Sequence, residues 1–458
     1  MKNCLLFILF CVFINAFGQD KGQELSKVID SLEVLNTSDT YTLYLPKAYD
    51  KKKLSAIVFI FEPAARGKVG IQPFIEAAEK YNYILVCSNN CRNGPFDDNF
   101  ERIDNLFETI FNTYSIDENL IYTAGFSGGS RLACTVAVLT KQIQGVIGCG
   151  AGFSPNLPHL PTDEKFSYVG LVGDADMNYQ EMFEVKKVCT KFKISHEIFT
   201  YDDDHSWPPP NQILRAFDWL ELEAYKKDIK PVNDIVVNTA FKSNYDTAKL
   251  LENDNLIELA VWEYERIIKN YSRYFNLDSI IPKIKELKNT KLYKSQIKTR
   301  ERVKDEETKV LDVFIKKFDS EFFNGKSKDN YKWWKKEFSK MKDKYVMSDD
   351  IYLKKMGERV SFSVYAMAIE TARNQLRLNK MDKAVYCHTL NTVLFPDRPY
   401  AFYLLAVDYA LLHEEEKMLQ NLKTAIEKGF THKDFILNTK EFSNYANNES
   451  FLQLVNSI

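Results

Sequence analysis

Apolar residues arrive in two different rhythms along this chain. Between residues 41 and 201 they gather into short, nearly continuous runs: YTLYLP (41–46), SAIVFIF (55–61), YILVCS (83–88), NLIYTAG (119–125), QGVIGCG (144–150), SYVGLVG (167–173) and SHEIFTY (195–201). Runs of this length, rich in Val, Ile and Phe without strict alternation, predict strands covered on both faces, as in a parallel sheet. Amphipathic stretches separate them at 72–80, 100–114, 128–140, 178–191 and 211–226. Repeated alternation of strand and helix predicts an α/β domain, doubly wound around a mostly parallel sheet, over residues 40–228.

Past Pro231 the rhythm changes. Glycine nearly vanishes, strand runs stop, and a 3.6-residue period continues to the end, predicting an all-α region over 232–458. Ala372 and Ala406 lie 34 residues apart, as do Ala384 and Met418, and Pro396 falls where a helix pair should stop. Ala248, Leu251, Ala260, Tyr264 and Ile267 repeat the spacing earlier. These offsets resemble the tetratricopeptide repeat, in which small residues let paired helices approach closely, and the resemblance implies a surface for a protein partner. An irregular helical bundle is the competing reading, since residues 283–345 match poorly. Within that stretch, KSKDNYKWWKKEFSKMKDK (326–344) mixes Lys with Asp and Glu and reads as a solvated helix.

The length of 458 residues calls for two or three domains, and 45% hydrophobic content fits packed cores. With 61 basic against 63 acidic residues there is no global field to draw in nucleic acid. The first 18 residues carry one Lys, an apolar run from Cys4 to Ile14, and small residues at Ala16 and Gly18. That pattern predicts a cleavable export signal and a periplasmic or extracellular protein, with no integral membrane anchor elsewhere. Phe10 before Cys11 argues against lipid attachment. Of the remaining cysteines, Cys87 and Cys91 are spaced for a small loop-closing bridge, while 134, 149, 189 and 387 read as buried thiols. No Cys/His spacing suggests a metal site, and no cofactor motif is present.

The chemistry concentrates around GFSGG (125–129), which fits G-x-S-x-G between a predicted strand and a predicted helix. That context makes Ser127 a candidate nucleophile on a sharp elbow, where flanking glycines let strand and helix approach. A phosphate-binding turn would need further glycines or a P-loop lysine. A serine needs a base, itself oriented by an acid. His205, in the polar loop YDDDHSWPPP after the last strand run, is the candidate base. His159 and His196 read as structural or surface residues. Asp176, three residues past Gly173 in LVGDADMNY, is preferred as the acid over Asp174; Asp202, Asp203 and Asp204 are weaker candidates.

YTLYLPKAYDKKKLSAIVFIF, GFSGGSRLA, GDADMNY and DDDHSWP, in this order, resemble the α/β-hydrolase superfamily, in particular secreted esterases of the polyhydroxybutyrate-depolymerase and feruloyl-esterase type. The resemblance covers about residues 40–225 and implies a Ser127–Asp176–His205 triad acting on a small-molecule or polymer-linked ester. Such enzymes usually carry His-Gly after the strand where Glu62-Pro63 stands here. Proline has no N–H to give, so Ala64 (or Ala65) and Gly128 are the expected oxyanion donors. Nearby Arg66 is a candidate for an anionic substrate group or an ordinary surface arginine. Trp207 is expected either to form a wall of the cleft or to pin the histidine loop. Only about 16 residues lie between Gly150 and Ser167, too few for a lid domain, which predicts an open cleft unless the helical region covers it. A serine peptidase, and a decayed scaffold with a protein-binding helical region, are the rival readings. The Glu-Pro pair favours the decayed scaffold and the complete triad opposes it.

Overall fold

The computed structural model describes residues 24–162, 165–324, 326–327 and 329–458. The export signal expected over residues 1–18 lies outside them. The described strands are β1 (Val28–Glu33), β2 (Thr40–Tyr44), β3 (Ser55–Phe61), β4 (Tyr83–Ser88), β5 (Ile116–Phe126), β6 (Gly145–Cys149), β7 (Ser167–Gly173) and β8 (His196–Tyr201). They form one sheet in the order β1-β2-β4-β3-β5-β6-β7-β8. β1 and β2 pair antiparallel, β2 runs antiparallel to β4, and every pairing from β4 to β8 is parallel.

The near-continuous apolar runs have the expected cause. Along β3, Ile57, Phe59 and Phe61 enter one core while Ala56, Val58 and Ile60 enter the core on the opposite face. Both faces are covered by helices α1 (Gly67–Ile71), α2 (Ile75–Tyr81), α3 (Phe96–Thr113), α4 (Gly128–Thr140), α5 (Tyr179–Lys191) and α6 (Pro210–Lys226). β1, which carries the sheet to before residue 40, has no counterpart in the sequence reading. VIDSLE is polar because β1 is a half-exposed edge strand, and its ladder is broken between Ile29 and Leu32, where Ser31 takes φ 58°.

The topology prepares a site. After β4 the chain crosses back to the far side of β3 to lay down β5, so Phe61 pairs with Gly125. The loop leaving β3 and the turn leaving β5 therefore open side by side at the carboxyl edge of the sheet, where crossovers diverge and ligands bind.

Beyond residue 231 the described structure is helical: α7 (Asp234–Asn253), α8 (Ile257–Tyr271), α9 (Ile280–Asn289), α10 (Lys291–Phe322), α11 (Lys332–Met341), α12 (Ile351–Arg377), α13 (Met381–Leu394), α14 (Pro399–Leu411), α15 (Glu415–Glu427), α16 (Lys433–Leu437) and α17 (Glu449–Asn456). Ala372 and Ala384 are buried in one cluster, Ala406 and Met418 in another. No described helix is long and apolar enough to cross a membrane.

A buried ionic weld joins the sheet to the helical region. Glu197 of β8 pairs with Arg266 at 3.1 Å and Lys269 at 3.2 Å, both from α8. Arg266 also pairs with Glu263, which pairs with Arg215 of α6. The Arg215 and Arg266 guanidiniums lie 4.1 and 4.6 Å from the ring centre of Phe199. Burial opposes ionisation of Glu197, but the two cations win and hold its carboxyl down at about 2, against 4.5 ordinarily. A depressed carboxyl stabilises the fold above its unfolded value and loses that contribution as pH falls through the folded one. About 3 kcal/mol of unfolding free energy should therefore disappear between pH 4.5 and 2. In urea unfolding, the stability gap between wild type and Glu197→Gln should shrink across that window; a constant gap would contradict the weld.

Candidate active site

Ser127 sits at the junction of β5 and α4 with φ 52° and ψ −119°, a conformation L-residues avoid. The close approach of strand and helix explains the two glycines. A Cβ at Gly125 would lie 2.2 Å from the Gly129 carbonyl oxygen, and one at Gly129 would lie 2.0 Å from that of Phe61. The Ser127 N–H donates to the Cys149 carbonyl at 2.8 Å, and its own carbonyl accepts from Ser130 at 3.0 Å. The turn is thus held from both sides and projects the hydroxyl over the sheet edge. Strand order and elbow together are those of the α/β-hydrolase fold.

The three candidate residues converge from separate strand ends. His205, in the loop after β8, places Nε2 3.0 Å from Ser127 Oγ. Its Nδ1 lies 2.9 Å from each carboxylate oxygen of Asp176, in the loop after β7. Asp176 is buried, and its Oδ1 also accepts the Asn178 N–H at 2.7 Å. Burial pushes the Asp176 carboxyl above the ordinary range, partly offset by His205 and the Asn178 N–H. The two loops are tied through backbone bonds: Asp174 N–H to Tyr201 O at 2.8 Å, and Ala175 N–H to Asp203 O at 2.9 Å.

The Asp174 carboxylate points away from His205 and lies 2.9 Å from Lys355 of α12, and burial pushes it up to about 6. Asp202 also pairs with Lys355. His159 stacks edge-on against Phe96, and His196 bonds the Ile194 carbonyl at 2.8 Å, so neither faces Ser127.

The Ala64 N–H is not turned to a substrate oxygen; it donates to Glu62 Oε2 at 2.7 Å. Arg66 folds back onto the buried Glu62 carboxylate, with its N–H also donating to Oε2 at 3.0 Å, and it does not line the cavity over Ser127. Trp207 packs among Phe126 and Phe74, with ring centres 5.4 and 5.8 Å away, so it pins the histidine loop and forms no part of the cavity lining. Cys87 and Cys91 are free and buried, not bridged.

The helical region covers part of the cleft, the exception the short segment between Gly150 and Ser167 allowed. A cavity of about 590 Å³ lies over Ser127, and α12 roofs it with Ser363, Ala366, Met367, Glu370, Thr371 and Asn374. Lys355 and Arg359 anchor one end of this helix at the acid loop, Arg359 donating to the Asp174 carbonyl at 2.6 Å and to Glu307 at 2.6 and 2.8 Å. At the other end Arg377 donates to the Asn93 carbonyl at 3.3 Å. Between them Phe362 lies 5.5 Å from the His205 ring. These positions follow helical spacing along one face. The sequence reading identified none of them, and nothing in an amphipathic pattern says which surface a helix will cover.

No protein-family model matches the chain, and no curated relative matches it. Solved structures do. The S-formylglutathione hydrolase FrmB from Staphylococcus aureus is 11% identical over 42% of this chain and 95% of its own, with a TM-score of 0.36. A ferulic acid esterase is 19% identical over 43% and 97%, with a TM-score of 0.36. A thermostable esterase is 14% identical over 47% and 62%, with a TM-score of 0.34. Likenesses this weak leave the fold to rest on the strand order and the elbow themselves.

Proposed function

We propose that the protein is an exported serine hydrolase that cleaves carboxylic esters through Ser127, His205 and Asp176. The observation that carries this reading is the unbroken chain of contacts from Ser127 Oγ to His205 Nε2 at 3.0 Å and from Nδ1 to Asp176 at 2.9 Å. His205 takes the hydroxyl proton as Oγ bonds to the substrate carbonyl carbon, while Asp176 holds the imidazole with Nδ1 protonated. Collapse of the tetrahedral intermediate breaks the bond to the leaving oxygen, which receives the proton from Nε2. Water then adds to the acyl-serine with His205 again as base, releasing the acid and restoring the serine. Ester is chosen over amide on the resemblance of GFSGGSRLA and DDDHSWP to secreted esterases, and export on the pattern of residues 1–18.

The rival, a decayed scaffold, gains nothing from a strained serine hydrogen-bonded to a half-buried histidine, because such strain persists only where surrounding structure enforces it. The helical region on this reading is the wall of the cleft, through α12. A fluorophosphonate probe should label the native protein once, on Ser127, with labelling abolished by prior denaturation. Absence of label on folded protein would return the decayed scaffold.

A further inference from the structure

On the serine-hydrolase reading, the loop after β3 leaves no backbone N–H for the oxyanion. Gly128 opens α4, and the first N–H groups of a helix have no intrahelical partner. The loop after β3, expected to supply the other donor, has already committed its amides. Pro63 has none, Ala64 and Arg66 donate to Glu62 Oε2 at 2.7 and 3.0 Å, and Ala65 donates to the Glu62 carbonyl at 3.0 Å.

We infer that the side-chain amide of Asn93, not an N–H of the β3 exit loop, is the second donor to the substrate oxyanion. Asn93 lines the same cavity as Ser127 and Gly128. Its carboxamide lies against Gly128 so closely that a Cβ there would stand 1.9 Å from Oδ1 and 3.0 Å from Nδ2. Glycine at 128 is what lets this amide come so near the nucleophile. The carboxamide makes no hydrogen bond with any described residue, and rotation about Cβ–Cγ presents Nδ2, the donor, to the cavity.

The loop beneath it is held on three sides. The Asn93 N–H donates to the Pro63 carbonyl at 2.8 Å, and its carbonyl accepts from Arg377 at 3.3 Å. Asn99 accepts the Arg92 N–H at 3.1 Å and donates to the Arg92 carbonyl at 2.9 Å. A free donor on a braced loop beside the nucleophile is what electrostatic stabilisation of a developing charge requires. Because one brace comes from α12, the helical region helps complete the site.

The test uses full-length protein and p-nitrophenyl acetate. Asn93→Ala should lose about 100- to 1,000-fold in kcat with KM within about threefold, the signature of a contact made only in the transition state. The inhibition constant of a trifluoromethyl ketone, whose adduct carries the oxyanion, should rise by the same factor. Asn93→Asp, which keeps the shape but offers no donor and repels the charge, should be impaired at least as much; it decides the matter if Asn93→Ala does not fold. Near-normal kcat in Asn93→Asp, alongside an inactive Ser127→Ala, would overturn the Asn93 role and leave the serine reading standing. Turnover retained in Ser127→Ala would bring down both.

Discussion

Ser127→Ala is expected to lower kcat for p-nitrophenyl acetate by about 10⁶-fold while the protein stays folded. The fold should survive because alanine preserves everything the turn uses: the Ser127 N–H bond to Cys149 and the carbonyl bond from Ser130 are both backbone. Only the hydroxyl disappears, and with it the atom that His205 deprotonates. The backbone strain also remains, since alanine keeps a Cβ at φ 52°. Glycine releases it. Ser127→Gly should therefore unfold at higher free energy than Ser127→Ala, by about 1 kcal/mol. Steady-state kinetics with intact-mass verification and thermal unfolding of the two variants check both statements. A Ser127→Ala enzyme keeping a tenth of its turnover would remove this residue from the mechanism.

That elbow was legible because its requirements are local: glycine at 125 and 129 follows from contacts within a few residues and with β3. The strands were legible for a similar reason, since burial on both faces of the sheet leaves a continuous apolar signature in β3, β4 and β7. β1 left no such signature because an edge strand keeps one side in water. What stayed hidden depends on contacts between distant segments. That proline removes an N–H from the oxyanion loop could be read from Glu62-Pro63 alone. That the Glu62 carboxylate, itself fully buried, captures the next amides could not. The roof over the cavity was hidden in the same way, because Lys355, Phe362, Glu370 and Arg377 form an ordinary helical face until β7, β8 and the Asn93 loop are placed beneath it.

The two aspartates of the β7 loop have different partners, Asp176 the imidazole and Asp174 Lys355, so their asparagine variants should separate cleanly. Asp176→Asn is expected to cost about 10⁴-fold in kcat with the fold intact. Asp176 Oδ1 accepts the Asn178 N–H at 2.7 Å, so an asparagine keeps its oxygen there and turns its NH₂ toward His205. The imidazole must then accept at Nδ1 and carry its proton on Nε2, where it cannot take one from Ser127. Asp174→Asn should leave kcat within about threefold, because that side chain faces Lys355 rather than the imidazole. Its effect belongs to stability. The Asp174 carboxyl is raised to about 6 from 3.8, so the folded state binds its proton more tightly than the unfolded chain does. Ionising it costs folding free energy at neutral pH, and that cost fades as pH falls from 6 toward 3.8, by at most about 3 kcal/mol. Relative to Asp174→Asn, wild type should therefore gain stability on acidification through this window, the reverse of the trend at Glu197. Should Asp174→Asn instead be the variant that loses turnover, the orienting acid is Asp174 and the hydrogen bonds from His205 to Asp176 are not the catalytic ones.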